Sequence, residues 1–80
     1  MKILIADDHE LFLKGLELIL HDYDPSLELI SAKSYTDIFN ILNNQKDFNL
    51  VLTDLAMPGA NWLDAIQKIH NTLPETPIII

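Results

Sequence analysis

The chain of 80 residues contains no cysteine. That excludes a disulfide staple, a cysteine-based zinc site and a thiol nucleophile. Its 2 glycines, Gly15 and Gly59, lie far apart, so there is no glycine-rich loop to cradle a phosphate. Cationic side chains are scarce: 5, all lysines, against 12 acidic ones, for a formal net charge of −7. Direct nucleic-acid binding needs a basic footprint, so it is not expected; cations, or the basic surface of a partner, are the expected company. Long hydrophobic runs are missing too. The opening run Ile3-Leu4-Ile5-Ala6 stops at Asp7-Asp8, too short for the core of a signal peptide, and no other stretch is long enough to span a bilayer. No membrane partner is expected, and the expected compartment is the cytoplasm. What is present is 49% hydrophobic and 21% charged, a globular composition too apolar for intrinsic disorder. Residues 1–80 hold one domain at most, with a small core.

Short apolar runs alternate with helical periods. Ile3-Leu4-Ile5-Ala6 reads as a strand buried on both faces. From Glu10 onward, Leu11, Phe12, Gly15, Leu16, Ile19 and Leu20 recur at helical spacing and form the expected inward stripe. Asp24-Pro25-Ser26 is a turn cluster, and Leu27 to Ala32 is a more polar, edge-like strand. Ser34 with Asp37 resembles a capping box. The second helix carries Ile38, Phe39, Ile41 and Leu42 inward and ends near Asn43-Asn44. Leu50-Val51-Leu52-Thr53 is a third buried strand, followed by Asp54 and the breaker Met57-Pro58-Gly59. A third helix runs from Trp62 to Asn71, with Trp62, Ala65, Ile66 and Ile69 inward and Asn61 as its cap. After a proline-rich connection, Ile78-Ile79-Ile80 opens a fourth strand. The order β-α-β-α-β-α-β implies a doubly wound α/β fold with a parallel sheet and helices on both faces.

In such a sheet, ligands bind beyond the carboxyl ends of the strands. Asp7 and Asp8 follow the first strand and Asp54 follows the third. If those strands are neighbours, the three carboxylates share one pocket. Two like charges ~6 Å apart repel by about 3 kcal/mol at an effective dielectric of 20, and a divalent cation relieves that repulsion. A hard, oxygen-rich site with few protein ligands suits Mg²⁺. A carboxylate held there can attack phosphorus to give an aspartyl-phosphate. The competing reading, acidic residues as solvated strand-end caps, suits Asp7-Asp8 alone. It does not account for Asp54 after a second buried strand, nor for the Met57-Pro58-Gly59 step. His9 reads as a loop residue at a helix start; a metal ligand or general base is its alternative.

These residues closely resemble the receiver domain of bacterial two-component response regulators. The matching pieces are Ile3 to His9, the helix with Leu16, Leu52-Thr53-Asp54-Leu55-Ala56-Met57-Pro58-Gly59, and Pro77 to Ile80. Asp8-His9 followed by Leu11-Phe12 and Gly15-Leu16 is similar to the NarL/LuxR-type subgroup, whose members usually carry a C-terminal DNA-binding domain. The resemblance implies a flavodoxin-like sheet in the order 2-1-3-4. It implies Asp54 as phosphoacceptor from a sensor histidine kinase, acting with Mg²⁺ to control a transcriptional output. Asp8 would ligate Mg²⁺ directly, Asp7 mainly through water, and the backbone carbonyl of Ala56 would be a further ligand.

Two departures from the family stand out. Trp62 occupies a position that is usually glycine, and its place in the helical stripe implies packing. The family's switch Ser/Thr, its fifth strand with a lysine, and its last helices would lie beyond Ile80. Residues 1–80 are therefore expected to be a partial receiver domain. None of the lysines replaces the missing one; Lys33, the best placed, is expected two strands from Asp54. The exposed fourth strand is expected to drive self-association. No enzyme is expected beyond autocatalysed gain and loss of phosphoryl on Asp54. Two other readings compete: a phosphorylation-independent interaction module or non-switching receiver, and a small Mg²⁺-dependent phosphohydrolase. Ala56, where a haloacid-dehalogenase-type phosphatase needs a second acid, argues against the last. A cobalamin-binding loop is disfavoured by Phe12, where that pattern needs glycine.

Overall fold

The computed structural model describes residues 1–80. The elements are β1 (Lys2–Ala6), α1 (Glu10–Tyr23), β2 (Glu28–Ala32), α2 (Tyr35–Asn44), β3 (Leu50–Thr53), α3 (Trp62–Thr72) and β4 (Ile78–Ile79). The sheet is parallel, as the alternating pattern implies, and its order β2-β1-β3-β4 is the one the family resemblance implies. β1 is the centre, pairing Ala6 with both Ala32 and Thr53. β4 lies at an edge, with only Ile78 and Ile79 in register with β3.

The helix starts follow their caps. The Ser34 hydroxyl accepts the Asp37 N–H at 3.1 Å. The reciprocal bond of a capping box is replaced: the Asp37 carboxylate accepts from the Lys33 N–H, one residue earlier, at 3.2 Å. Asn61 Oδ1 accepts from the N–H groups of Leu63 and Asp64 at 3.0 and 3.4 Å. The bonds from the N–H groups of Asp37, Leu63 and Asp64 satisfy first-turn donors with no partner inside the helix.

Strand alternation divides the apolar side chains between two faces. On one face Leu4, Ala6, Val51 and Ala32 pack against Tyr35, Ile38 and Leu42 of α2 and Ala65 and Ile69 of α3, with Phe48, Met57 and Leu73 completing a cluster of 12 buried residues. On the other, only Ile3, Ile5 and Leu13 are buried, with Leu16, Leu20, Leu27, Leu29, Leu50 and Leu52 packed around them.

Two expectations are corrected. The inward stripe of α1 is Leu13, Leu16 and Leu20, while Leu11, Phe12 and Ile19 are exposed, Leu11 by 85%. So many apolar residues lie on this helix that several stripes fit the period; the face that meets Ile3 and Ile5 is the one selected. Trp62 is 46% exposed and does not pack inward. It is the first residue of α3, where the chain is still entering the helix and the apolar stripe does not yet face the sheet. No helix is long and apolar enough to cross a membrane.

Candidate functional site

Hydrogen bonding between the parallel strands continues one residue past their ends. The Asp7 N–H donates to the Ala32 carbonyl at 3.0 Å, and the Asp54 N–H to the Ala6 carbonyl at 2.9 Å. Asp7 and Asp54 therefore leave adjacent strands at the same level. Asp8 and His9 follow Asp7 at once. Ligand atoms from Asp7, Asp8, His9 and Asp54 all lie within 4.8 Å of one another. Asp7 and Asp54 are half-buried, while Asp8 and His9 are exposed. The three carboxylates singled out in the sequence are thus brought together, and His9 joins them.

His9 is the N-cap residue of α1, with no side-chain bond to the helix. It turns back instead. Its N–H donates to Asp7 Oδ1 at 2.9 Å, and its Nδ1 lies 2.6 Å from the same oxygen and 3.1 Å from Asp8 Oδ1. The bond to Asp7, followed by the charges of Asp8 and Asp7, raises the imidazole pKa above its ordinary 6.5. Burial pushes the Asp7 carboxyl up, but the bonds from His9 outweigh it and leave the pKa below 3.8. Lys33 stays outside the cluster, paired with Glu10 at 3.1 Å.

The loop after Asp54 is anchored on α2. The Tyr35 N–H donates to the Pro58 carbonyl at 3.0 Å. The Tyr35 hydroxyl donates to the Leu55 carbonyl at 2.8 Å. Met57 is buried in the core, and its N–H also donates to the Leu55 carbonyl, at 3.0 Å. Gly59 has φ +106°, a left-handed value that disfavours any side chain, and a Cβ there would sit 2.7 Å from Thr36 Oγ1 and 3.0 Å from Thr36 N. Glycine is therefore required where the loop crosses the start of α2. The Ala56 N–H points back to Asp54 Oδ1 at 3.3 Å. No hydrogen bond of the loop uses the Ala56 carbonyl, which leaves it available as an oxygen donor. Tyr35 escaped the sequence reading. Its only signal was an aromatic hydroxyl beside the cap Ser34, and its partner lies 20 residues away.

The donors that meet are three carboxylates, with imidazole at the exposed rim. Hard oxygens from few residues, open to water on one side, fit Mg²⁺ rather than zinc or copper. A groove of about 580 Å³ starts at Asp7, His9 and Asp54 and runs along α1 over Phe12, Leu16, Leu52 and Ile79. Its apolar length lies away from the carboxylates, so the chemistry belongs to its acidic end.

A family model described as the response regulator receiver domain matches residues 3–80. The glycerol metabolism activator of Pseudomonas putida is 33% identical over 79 residues, covering 99% of this chain and 36% of that protein. Oxygen regulatory protein NreC of Staphylococcus aureus is 37% identical over 82 residues, covering 100% of this chain and 37% of that protein. A structure of RcsB from Salmonella enterica serovar Typhimurium, bound to promoter rprA in the presence of phosphomimetic BeF3−, has a TM-score of 0.83 at 28% identity. That match covers 98% of this chain and 40% of RcsB. The chain therefore spans well under half the length of these relatives.

Proposed function

The chain belongs to the response regulator receiver domain family, and from that premise we propose that Asp54 accepts a phosphoryl group from a sensor histidine kinase of a two-component system. The observation that carries the proposal is the meeting of Asp7, Asp8 and Asp54 within 4.8 Å at the carboxyl ends of adjacent parallel strands. In the transfer, an Asp54 carboxylate oxygen attacks phosphorus as the bond from phosphorus to the kinase histidine nitrogen breaks. The imidazole leaves with the electron pair of that bond. Asp54 Oδ1 is engaged by the Ala56 N–H, so the other carboxylate oxygen is the freer nucleophile.

Asp8, Asp7 through water, Asp54 and the Ala56 carbonyl would hold Mg²⁺. When bound, the ion neutralises charge on the transferred phosphoryl oxygens. This chain acts as a signalling module and not as an enzyme with turnover of an external substrate. Its output is transcriptional, in keeping with relatives named as an activator and an oxygen regulatory protein and with RcsB bound to a promoter; DNA contact would be made by a domain outside these residues, and the setting is cytoplasmic. The edge strand β4 and the apolar groove beside it support self-association of this chain.

The test is incubation with a small phosphodonor and Mg²⁺, read by intact-mass spectrometry. A gain of one phosphoryl group that disappears in Asp54→Asn supports the proposal. A gain that persists in Asp54→Asn contradicts it.

A further inference from the structure

We propose that Tyr35 is a positioning residue for the phosphoacceptor: its buried hydroxyl fixes the peptide that orients the Asp54 carboxylate. The proposal rests on the reading of Asp54 given above and adds a residue to it. Tyr35 is the largest fully buried side chain in the molecule. Its ring sits in the core with Leu4, Ile38 and Val51, so the position of its hydroxyl is set by packing. That hydroxyl donates to the Leu55 carbonyl at 2.8 Å, with the Asp54 carbonyl farther away at 3.4 Å.

The Leu55 carbonyl and the Ala56 N–H belong to one peptide unit. Such a unit is planar and nearly rigid, so fixing its oxygen fixes the direction of its N–H. That N–H donates to Asp54 Oδ1 at 3.3 Å. The path is therefore Tyr35 O–H to Leu55 C=O, across the peptide to Ala56 N–H, and on to the Asp54 carboxylate. A donor on the carbonyl also polarises the peptide and strengthens its N–H as a donor. The Met57 N–H shares the Leu55 carbonyl at 3.0 Å, so this oxygen is held from two sides while the next carbonyl, of Ala56, stays available for a cation. The other end of Tyr35 grips the same loop, through its N–H to the Pro58 carbonyl at 3.0 Å.

Tyr35→Phe keeps the ring and removes only the donor. The variant is expected to fold, to bind Mg²⁺ about ten-fold more weakly, equivalent to about 1.4 kcal/mol, and to accept phosphoryl from acetyl phosphate more slowly in proportion. Leu42→Ala, in the same helix but two turns away, is the control. It removes more buried carbon and lowers the melting temperature more, yet is expected to leave the Mg²⁺ Kd within about two-fold. If that variant fails to fold, Leu42→Val takes its place. A third arm needs no metal: in Tyr35→Phe the Ala56 and Met57 amides should exchange with deuterium roughly five-fold faster or more.

A Tyr35→Phe protein with wild-type loop exchange overturns the proposal. So does a Leu42 control that weakens Mg²⁺ binding as much, since that would mean general loosening of the core. If the wild type neither binds Mg²⁺ nor accepts phosphoryl, the proposed function falls, and the exchange arm still decides whether Tyr35 holds the loop.

Discussion

The two faces of the sheet are built differently, and the site straddles them. Beneath α2 and α3 lies a continuous cluster of 12 buried residues. Beneath α1 only Ile3, Ile5 and Leu13 are buried, and a groove of about 580 Å³ runs beside them. α1 is held along its length by polar contacts as well. Glu10 in its first turn pairs with Lys33, His21 in its last turn bonds the Leu27 carbonyl, the Ser31 hydroxyl donates to Glu17 between them, and the turn after the helix is closed by Asp24 accepting from the Ser26 N–H and hydroxyl. Asp54 and its loop are anchored to the dense face through Tyr35 and Met57, whereas Asp7, Asp8 and His9 lead into the sparse one. One half of the pocket is therefore fixed by packing and the other by charge and caps.

The largest effect should come from cutting into the dense face. Ile69→Ala removes a fully buried side chain and should cost about 3–4 kcal/mol in urea denaturation, most of the stability of so small a domain. Leu16→Ala, half-buried on the α1 face, should cost only about 1–2 kcal/mol. Equal costs would erase the distinction between the faces.

Gly59→Ala strikes the anchor of the loop. The left-handed backbone alone should cost about 1–2 kcal/mol, and the contact with Thr36 adds to it. Mg²⁺ binding should weaken with it. An unchanged melting temperature would show that the loop does not depend on its seat over α2.

The sparse face bears on assembly. Ile79 on β4 and Ile80 just past it are exposed and line the groove. Light scattering at micromolar concentration should report a dimer or larger species, and Ile79→Lys with Ile80→Lys should return it to monomer. A wild-type monomer whose β4 amides are protected from exchange would refute the proposed self-association.

Acid should separate the faces further. The pKa of Glu10 is lowered by its bond to Lys33, and that of Asp24 by the Ser26 hydroxyl and N–H. A carboxyl lowered in the folded state stabilises fully above its unfolded value, here 4.5 for Glu10 and 3.8 for Asp24. That stabilisation is lost as pH falls through the lower folded value. α1 amides should therefore lose exchange protection below about pH 4.5 before those of α2 and α3. Uniform loss would mean that the caps do not hold α1. The smallest effect is expected from His9→Ala, which removes a competitor for Asp7 and Asp8 and should tighten Mg²⁺ binding by about two- to five-fold.

Legibility in the sequence follows the same division. All seven elements were readable, because buried parallel strands are short apolar runs and their ends are marked by charge; the strand order, and with it the convergence of Asp7, Asp8 and Asp54, came from the family resemblance. α1 was readable as a helix but not in its facing: an apolar residue stands at almost every position from Leu11 to Leu20, so periodicity alone could not choose Leu13 over Leu11. Trp62 matched the stripe of α3 in spacing but not in depth, since a first-turn residue is not yet over the sheet. Tyr35 was not readable as part of the site. Its hydroxyl meets Leu55 across 20 residues, and only tertiary packing creates that meeting.

The central claim is that carboxylates from two strand ends, one leading to each face, form a single cation site. A Mg²⁺ titration followed by backbone amide chemical shifts tests it most directly. The account predicts that the amides of Asp7 to His9 and of Asp54 to Met57 move together and saturate with one Kd, and that Asp8→Ala abolishes both sets of shifts. Movement of one set without the other, or none up to several millimolar Mg²⁺, would contradict it.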